Sequence, residues 1–242
     1  MRLIALILLT TTLASATTPA ELETMLAGFT GREHVRATVQ LELTQSTGDA
    51  KKPEVTSGST AVAVESAEGA LEITWSSEQV AAASSAGDEH ASARRAMDEL
   101  SVSRLTHYLN AAPQLLEALR DAEVTGERSE AWQGRQARVI TFRLNPKLSD
   151  KDRKYIKELD ATATLWLGAD GIPLAVDRSV RVKGRAMLVI GFESAETEKY
   201  EFTRVGDRLV VTQHIHEAQG SGAGESSQRR SVARLTLTAS PS

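Results

Sequence analysis

The chain has 242 residues, 41% of them hydrophobic, a formal net charge of -4 and no cysteine. The absence of cysteine excludes disulfides, thiolate metal sites, a cysteine nucleophile and lipid attachment at a processed cysteine. The acidic balance argues against a nucleic-acid-binding protein, because such proteins normally present a basic face. The length is ample for one domain that is held together by its own core.

The N-terminal residues have the three-part pattern of a cleavable secretory signal peptide. Met1 and Arg2 give a positive start, residues 3–9 are apolar, and residues 14–16, Ala-Ser-Ala, form a small-x-small cleavage site. The apolar stretch is far shorter than the roughly 20 residues that span a bilayer, so a membrane anchor is the weaker interpretation. We expect cleavage after Ala16, a single soluble domain over residues 17–242, and a periplasmic location.

The first part of the mature chain predicts a helix followed by strands. Residues 19–29 carry apolar side chains at helical spacing. Over residues 35–44 apolar and polar side chains alternate, which predicts a long strand with one face in water. The polar stretch 46–57 is typical of a loop, and residues 60–65 and 70–75 then predict a pair of strands.

Residues 77–121 differ in character from the segments on either side. This stretch is rich in alanine, serine and charge, shows no alternation, and places leucines at helical spacing in its second half. We expect two or three helices with a break over residues 84–88. The segment is therefore predicted to be a central helical insert.

Alternation returns after the insert and predicts antiparallel hairpins. The Asp-Gly and Gly-Asp pairs at 170–171 and 206–207 are typical of tight turns between strands. Residues 186–192 are nearly continuously apolar and predict a strand covered on both faces, whereas residues 220–227 predict a flexible loop. Long strands joined by hairpins favour a sheet that curls. The predicted fold class is α+β: a curved antiparallel β-sheet, or half-barrel, with the N-terminal helix and the central helical insert covering one face.

One predicted hairpin resembles a known family. Residues 165–174, Leu-Trp-Leu-Gly-Ala-Asp-Gly-Ile-Pro-Leu, combine an apolar-Trp-apolar start, an Asp-Gly turn and a Gly-apolar-Pro-apolar restart. With the early helix and the long strand that follows it, this chain resembles the periplasmic LolA-like superfamily of lipoprotein carriers, outer-membrane lipoprotein receptors and envelope stress regulators. The resemblance implies a half-barrel whose concave apolar face, covered by helices, holds acyl chains. The hairpin also has a plain structural explanation, since Asp-Gly makes a tight turn in any fold.

Alternating apolar residues on the predicted strands are candidates for lining such a cavity. Each methylene moved from water into an apolar cavity contributes roughly 0.8 kcal/mol, so a face of Val, Leu and Ile can hold an acyl chain without a special polar group. The same residues form an ordinary filled core if the helices pack tightly. The candidate ligand-binding residues are Val39, Leu41, Leu43, Ile73, Leu165, Leu167, Val180 and Val182.

The residues that could support catalysis or metal binding form no convincing site. His214 and His216 lie on the same face of a predicted strand and could hold zinc or copper, but no third ligand is identifiable, so a solvent-facing pair is the favoured interpretation. The Gly-x-Ser-x-Gly pattern of serine hydrolases is absent. The four glutamates of residues 193–201 are typical of a solvated face, as are the arginine pairs at 94–95 and 229–230, although either arginine pair could meet a lipid headgroup or an acidic partner. We expect a non-enzymatic protein with no cofactor and no metal.

Two hypotheses on function follow. The leading one is an exported envelope protein that binds a hydrophobic ligand, a lipid or the acyl chains of a lipoprotein, in a half-barrel cavity. The alternative is an envelope regulatory or scaffolding protein that uses the same fold to bind a membrane or periplasmic protein partner.

Overall fold

A computed structural model describes residues 19–49, 52–67, 69–84, 88–186 and 190–238. Ten strands and six helices occur within these ranges. The strands are β1 (Val35–Asp49), β2 (Glu54–Ala67), β3 (Ala70–Thr74), β4 (Glu123–Trp132), β5 (Arg135–Arg143), β6 (Ile156–Leu167), β7 (Pro173–Ala186), β8 (Ile190–Val205), β9 (Arg208–Gly222) and β10 (Glu225–Leu237). The helices are α1 (Pro19–Ala27), α2 (Ser77–Ser84), α3 (Asp88–Glu99), α4 (Val102–Leu109), α5 (Ala112–Leu119) and α6 (Asp150–Arg153). The predicted signal peptide, residues 1–16, lies outside the described residues.

All ten described strands belong to one open, curved sheet in the order β3-β2-β1-β10-β9-β8-β7-β6-β5-β4. The chain runs from β1 to one edge, crosses through helices α2 to α5 to the opposite edge, and returns strand by strand until β10 pairs with β1. Neighbouring strands are antiparallel, as the tight turns between them require; Val39 of β1, for example, lies between Val62 of β2 and Leu235 of β10. This sheet, with the N-terminal helix and the central helical insert, confirms the predicted α+β fold class.

The helices cover one face of the sheet and enclose the core there. Strand β1 shows why: its odd-numbered residues from Val35 to Leu43 are buried, whereas Gln40 and Glu42 on the other face are exposed. Helix α3 packs against β2, α4 against β9, and α1 against α5. The largest fully buried side chains come from both layers: Leu26, Leu105, Tyr108 and Leu109 from the helices, and Val39, Leu41, Val62, Val139, Ile140, Phe142, Leu165 and Leu209 from the strands.

The link between α4 and α5 is fixed to the sheet by hydrogen bonds. Ser101 caps α4 by accepting a bond from the Arg104 amide, which satisfies one of the free N–H groups of the first turn. After α4 the Ala111 amide donates to the carbonyl of Leu209 at 2.8 Å, and the Leu209 amide donates to Asn110 Oδ1 at 3.3 Å. Two helices are thereby held at a defined height above β9, next to the site described below.

Two polar stretches predicted as loops are strands, and those predictions are wrong. Residues 46–49 continue β1 and residues 54–57 open β2, with Thr47 paired to Glu54. Residues 220–222 and 225–227 likewise extend β9 and β10, which are joined at Ala223 and Gly224, both with positive φ. At this end the strands carry mainly small polar or charged side chains on both faces, so alternation does not reveal them, and the backbone pairing continues regardless.

The apolar stretch 186–192 is not a strand of its own, contrary to the prediction. Strand β7 ends at Ala186 and β8 begins at Ile190, so the stretch is the junction of two longer strands, with residues 187–189 outside the described ranges. Gly191 is exposed, which also contradicts cover on both faces. As for membrane segments, the described helices include none that is both long and apolar enough to cross a bilayer.

Candidate functional site

A groove of about 400 Å³ lies between α5 and the helix-covered face of β6, β7 and β8. The segment that follows β5 forms its rim. This volume is within the range of small-molecule sites, roughly 300–1,000 Å³. Most of the wall is apolar, and the apolar lining residues are Ala111, Leu115, Ala118, Leu119, Leu144, Pro146, Ala163, Val176 and Phe202.

One end of the groove is polar. His107 of α4, Arg178 of β7, and Glu198 and Tyr200 of β8 line it. Sheet register brings the strand residues together, because Arg178 is the cross-strand partner of Glu198. The mostly apolar wall thus lies between this group of hydrogen-bonding side chains and a polar rim that includes Asp121 and Lys147.

The Glu198 carboxylate is the centre of a hydrogen-bonded network. Its Oε2 accepts from Arg178 Nη1 at 2.6 Å, and its Oε1 accepts from Tyr200 Oη at 3.0 Å. Behind it, His214 Nε2 lies 3.6 Å from Oε1, an ion-pair distance that is too long for a good hydrogen bond. On the other side of the same ring, His214 Nδ1 lies 2.8 Å from Tyr108 Oη. We call these residues and His107 the polar cluster: His107, Tyr108, Arg178, Glu198, Tyr200 and His214.

Aromatic contacts hold the cluster in place. The rings of Tyr200 and His214, which are cross-strand partners, stack with centroids 4.1 Å apart and planes 6° from parallel. His107 meets the Tyr200 ring edge-on at 5.4 Å. These packed rings restrict the rotamers of the side chains at the end of the groove.

Burial and pairing set the charge states within the cluster. Burial alone would raise the pKa of Glu198, but the neighbouring His214 and Arg178 outweigh it and lower that pKa to about 2. Burial lowers the pKa of His107 to about 4, and repulsion from His214 adds to the effect. Burial also lowers the pKa of His214 and raises those of Tyr108 and Tyr200. At neutral pH the cluster therefore holds one carboxylate, one guanidinium, and neutral histidines and tyrosines.

The prediction that His214 and His216 face solvent is wrong for His214, which is only 4% exposed. Its neighbour His216 is half-buried, with Nε2 3.1 Å from Glu196 Oε1, and this close contact lowers the pKa of Glu196. A metal site is not formed either: the part of the chain that the structure describes has no group of three or more His, Cys, Asp or Glu placed to hold an ion. The solvated-face prediction also fails for Glu198, which points into the network above rather than into water.

The two arginine pairs lie away from the groove. In α3, Arg94 Nη1 is 3.4 Å from the Ala83 carbonyl, and Arg95 donates to Thr56 of β2. In β10, Arg229 pairs with Glu99 at the end of α3. Its neighbour Arg230 forms a surface pair with a glutamate of β9 at 3.0 Å. These arginines therefore contribute to the contacts between α3 and the sheet and to the pairing of β9 with β10.

The residues predicted to bind a ligand do not line the groove, and those on β1 and β3 are separated from it by other strands of the sheet. Among the described residues that line the groove, none belongs to that set. Ala163 lines the groove and is two residues before Leu165 on the same face of β6. The prediction therefore chose the correct face of β6 but a different position along the strand. A role for the eight predicted residues in binding stays a prediction. The structure buries Val39, Leu41, Leu43, Leu165 and Leu167 and leaves Ile73, Val180 and Val182 half-buried.

Comparison with known proteins gives little further information. No protein-family model matches the chain, and no curated protein matches it. Among solved structures, the chain is similar to a DUF1329 family protein from Desulfovibrio piger, with 14% sequence identity, 93% of each chain covered and a TM-score of 0.27. A likeness of this strength transfers neither a fold nor a function to the chain.

Proposed function

We propose that this chain is an exported, non-enzymatic binding protein that holds an acyl chain of a lipid or lipidated protein in the groove between α5 and the sheet. The observation that supports the proposal is the groove itself: about 400 Å³, with a mainly apolar wall surface, polar groups at its inner end and a polar, charge-paired rim. The resemblance of residues 165–174 to the LolA-like superfamily, whose members hold acyl chains under a helical cover, agrees with it. Export is proposed from the signal-peptide pattern of residues 1–16.

The energetics favour an acyl chain over a polar ligand. Ten methylenes moved from water into an apolar groove contribute about 8 kcal/mol before the loss of translational freedom is subtracted. Hydrogen bonds to the polar end add specificity more than affinity, because each replaces a bond to water. A ligand with one apolar tail and one polar end therefore matches the groove.

Narrowing the groove tests the proposal. Ala118 is an exposed residue of α5 that lines the groove, so Ala118→Trp places an indole there without disturbing a buried position. Ala81 is an exposed alanine of α2 outside the groove and supplies the matched control, Ala81→Trp. Binding is measured by displacement of the neutral fluorescent probe N-phenyl-1-naphthylamine with dodecanamide.

The proposal predicts saturable displacement with the native protein and with Ala81→Trp, and an affinity about tenfold or more weaker with Ala118→Trp, which corresponds to about 1.4 kcal/mol or more. Absence of saturable binding to the native protein would refute the proposal. Equal affinity for both tryptophan variants would show that the acyl chain binds elsewhere.

A further inference from the structure

Each cation that lines the groove already has a carboxylate partner before any ligand enters. Its lining residues include two cations, Lys147 and Arg178, and three carboxylates, those of Glu117, Asp121 and Glu198. Lys147 and Asp121 pair with each other at the exposed rim, 3.2 Å apart. At the polar end the guanidinium and the Glu198 carboxylate form a close pair, so both cations among the described lining residues have a neighbouring carboxylate.

The carboxylate of the inner pair is largely shielded from water, and the guanidinium is partly exposed to the groove. The Glu198 side chain is 17% exposed and the Arg178 side chain 37% exposed. Tyr200 Oη donates to the same carboxylate, and the His214 ring lies behind it. An anionic ligand head at this end of the groove would lie beside a guanidinium whose charge Glu198 already neutralises. The free-energy cost of removing that anion from water is then not offset by a new ion pair.

An uncharged polar group meets no such penalty. A guanidinium has five N–H donors, and the bond described to Glu198 uses Nη1. An ester or amide carbonyl can accept from the other donors, and the carbonyl leaves the charge balance unchanged. The neutral state of His107 at the same end keeps it from acting as a second cation for an anionic head group.

We infer that the groove selects acyl ligands with an uncharged ester, amide or alcohol head and discriminates against fatty-acid carboxylates, because the Arg178–Glu198 pair at its polar end is already balanced. This inference rests on the proposed function and adds the class of ligand. Glu198 is the residue that sets the preference: its charge cancels that of Arg178, and replacing it with an amide of the same shape exposes an unbalanced guanidinium.

Two probes of equal chain length test the inference. Dodecanamide and dodecanoate compete, in separate titrations at neutral pH, for N-phenyl-1-naphthylamine bound to the native protein, to Glu198→Gln and to Glu123→Gln. Glu123 is a matched control because it also pairs with an arginine, Arg143, at 2.9 Å, but on the exposed edge strand β4. Circular dichroism establishes that each variant is folded.

For the native protein and Glu123→Gln, we expect the affinity for dodecanamide to be at least about tenfold higher than the affinity for dodecanoate. In Glu198→Gln the dodecanoate affinity rises and the preference falls about tenfold or reverses. Equal affinities for the two probes in the native protein would overturn the inference and leave the proposed function intact. Displacement by neither probe would instead refute the proposed function, and the selectivity with it. If Glu198→Gln fails to fold, the ratio of the dodecanamide and dodecanoate affinities of the native protein still tests the inference.

Discussion

Removing the hydroxyl of Tyr108 is a direct test of the polar cluster. Tyr108 is 1% exposed, and its Oη lies 2.8 Å from Nδ1 of His214, which is 4% exposed. Tyr108→Phe keeps the ring and its packing and deletes one oxygen atom. The imidazole nitrogen then has no partner in a site closed to water.

The expected cost follows from that burial. A typical intramolecular hydrogen bond contributes about 1 kcal/mol net, and a buried group left without a partner costs about 1–3 kcal/mol. We therefore expect Tyr108→Phe to lower the free energy of unfolding by about 1–3 kcal/mol. Tyr155→Phe removes a hydroxyl from a residue that is 41% exposed and should change the free energy of unfolding by less than about 0.5 kcal/mol.

Urea denaturation followed by circular dichroism measures both variants, and an unchanged m-value shows that the same transition is compared. A double-mutant cycle with His214→Phe isolates the pair, for which we expect a coupling of about 0.5 kcal/mol or more. If Tyr108→Phe is as stable as Tyr155→Phe, or if the two changes are additive, the hydroxyl–imidazole bond does not contribute to the cluster and the reasoning is refuted.

Acid and overpacking give two further predictions. The pKa of His107 is lowered to about 4 by burial, so between pH 6.5 and pH 4 the unfolded chain binds a proton that the folded chain excludes; stability is fully present above this window and falls by up to about 3 kcal/mol as the pH drops through it. Urea titrations at pH 7 and pH 4.5 should show a smaller loss in His107→Gln than in the native protein, and an equal loss would contradict the burial argument. In the sheet, a Cβ at Gly58 would clash with the carbonyl oxygen of Ser92 in α3, whereas a Cβ at Gly126 meets nothing within 4 Å. Thermal unfolding should therefore show Gly58→Ala destabilised by about 1–3 kcal/mol and Gly126→Ala little changed, and equal effects would argue against close packing of α3 on β2.

Local patterns in the sequence were sufficient to predict the class of the fold. Alternation from Val35 to Leu43 predicts a strand with one buried face, and the structure buries that face. The leucine spacing around Tyr108 predicts a helix, and α4 buries Leu105, Tyr108 and Leu109. Alternation fails where both faces of a strand are polar, as in residues 46–49, since backbone pairing there depends on neighbours and not on side chains.

The polar cluster could not be recognised from composition or from runs of charge. Its members come from α4, β7, β8 and β9, and each is unremarkable within its own segment. The hairpin at residues 206–207 was only a partial signal: it brings this part of β8 close to β9, but an irregularity between Glu201 and Phe202 shifts the register by one residue, and only with that shift is Tyr200 opposite His214. Which face of that hairpin is covered depends on where α4 and α5 pack, and this is a tertiary property that periodicity does not contain.

The central claim, that the groove holds an acyl chain, is tested most directly by native mass spectrometry of the mature protein purified from an exported preparation. Denaturing extraction then identifies any molecule that copurifies. The proposed function predicts a complex heavier than the polypeptide by the mass of one lipid or acylated peptide, either as purified or after addition of dodecanamide. A bare polypeptide mass that persists after challenge with lipids would contradict it and would favour the alternative, a protein that binds a membrane or periplasmic protein partner.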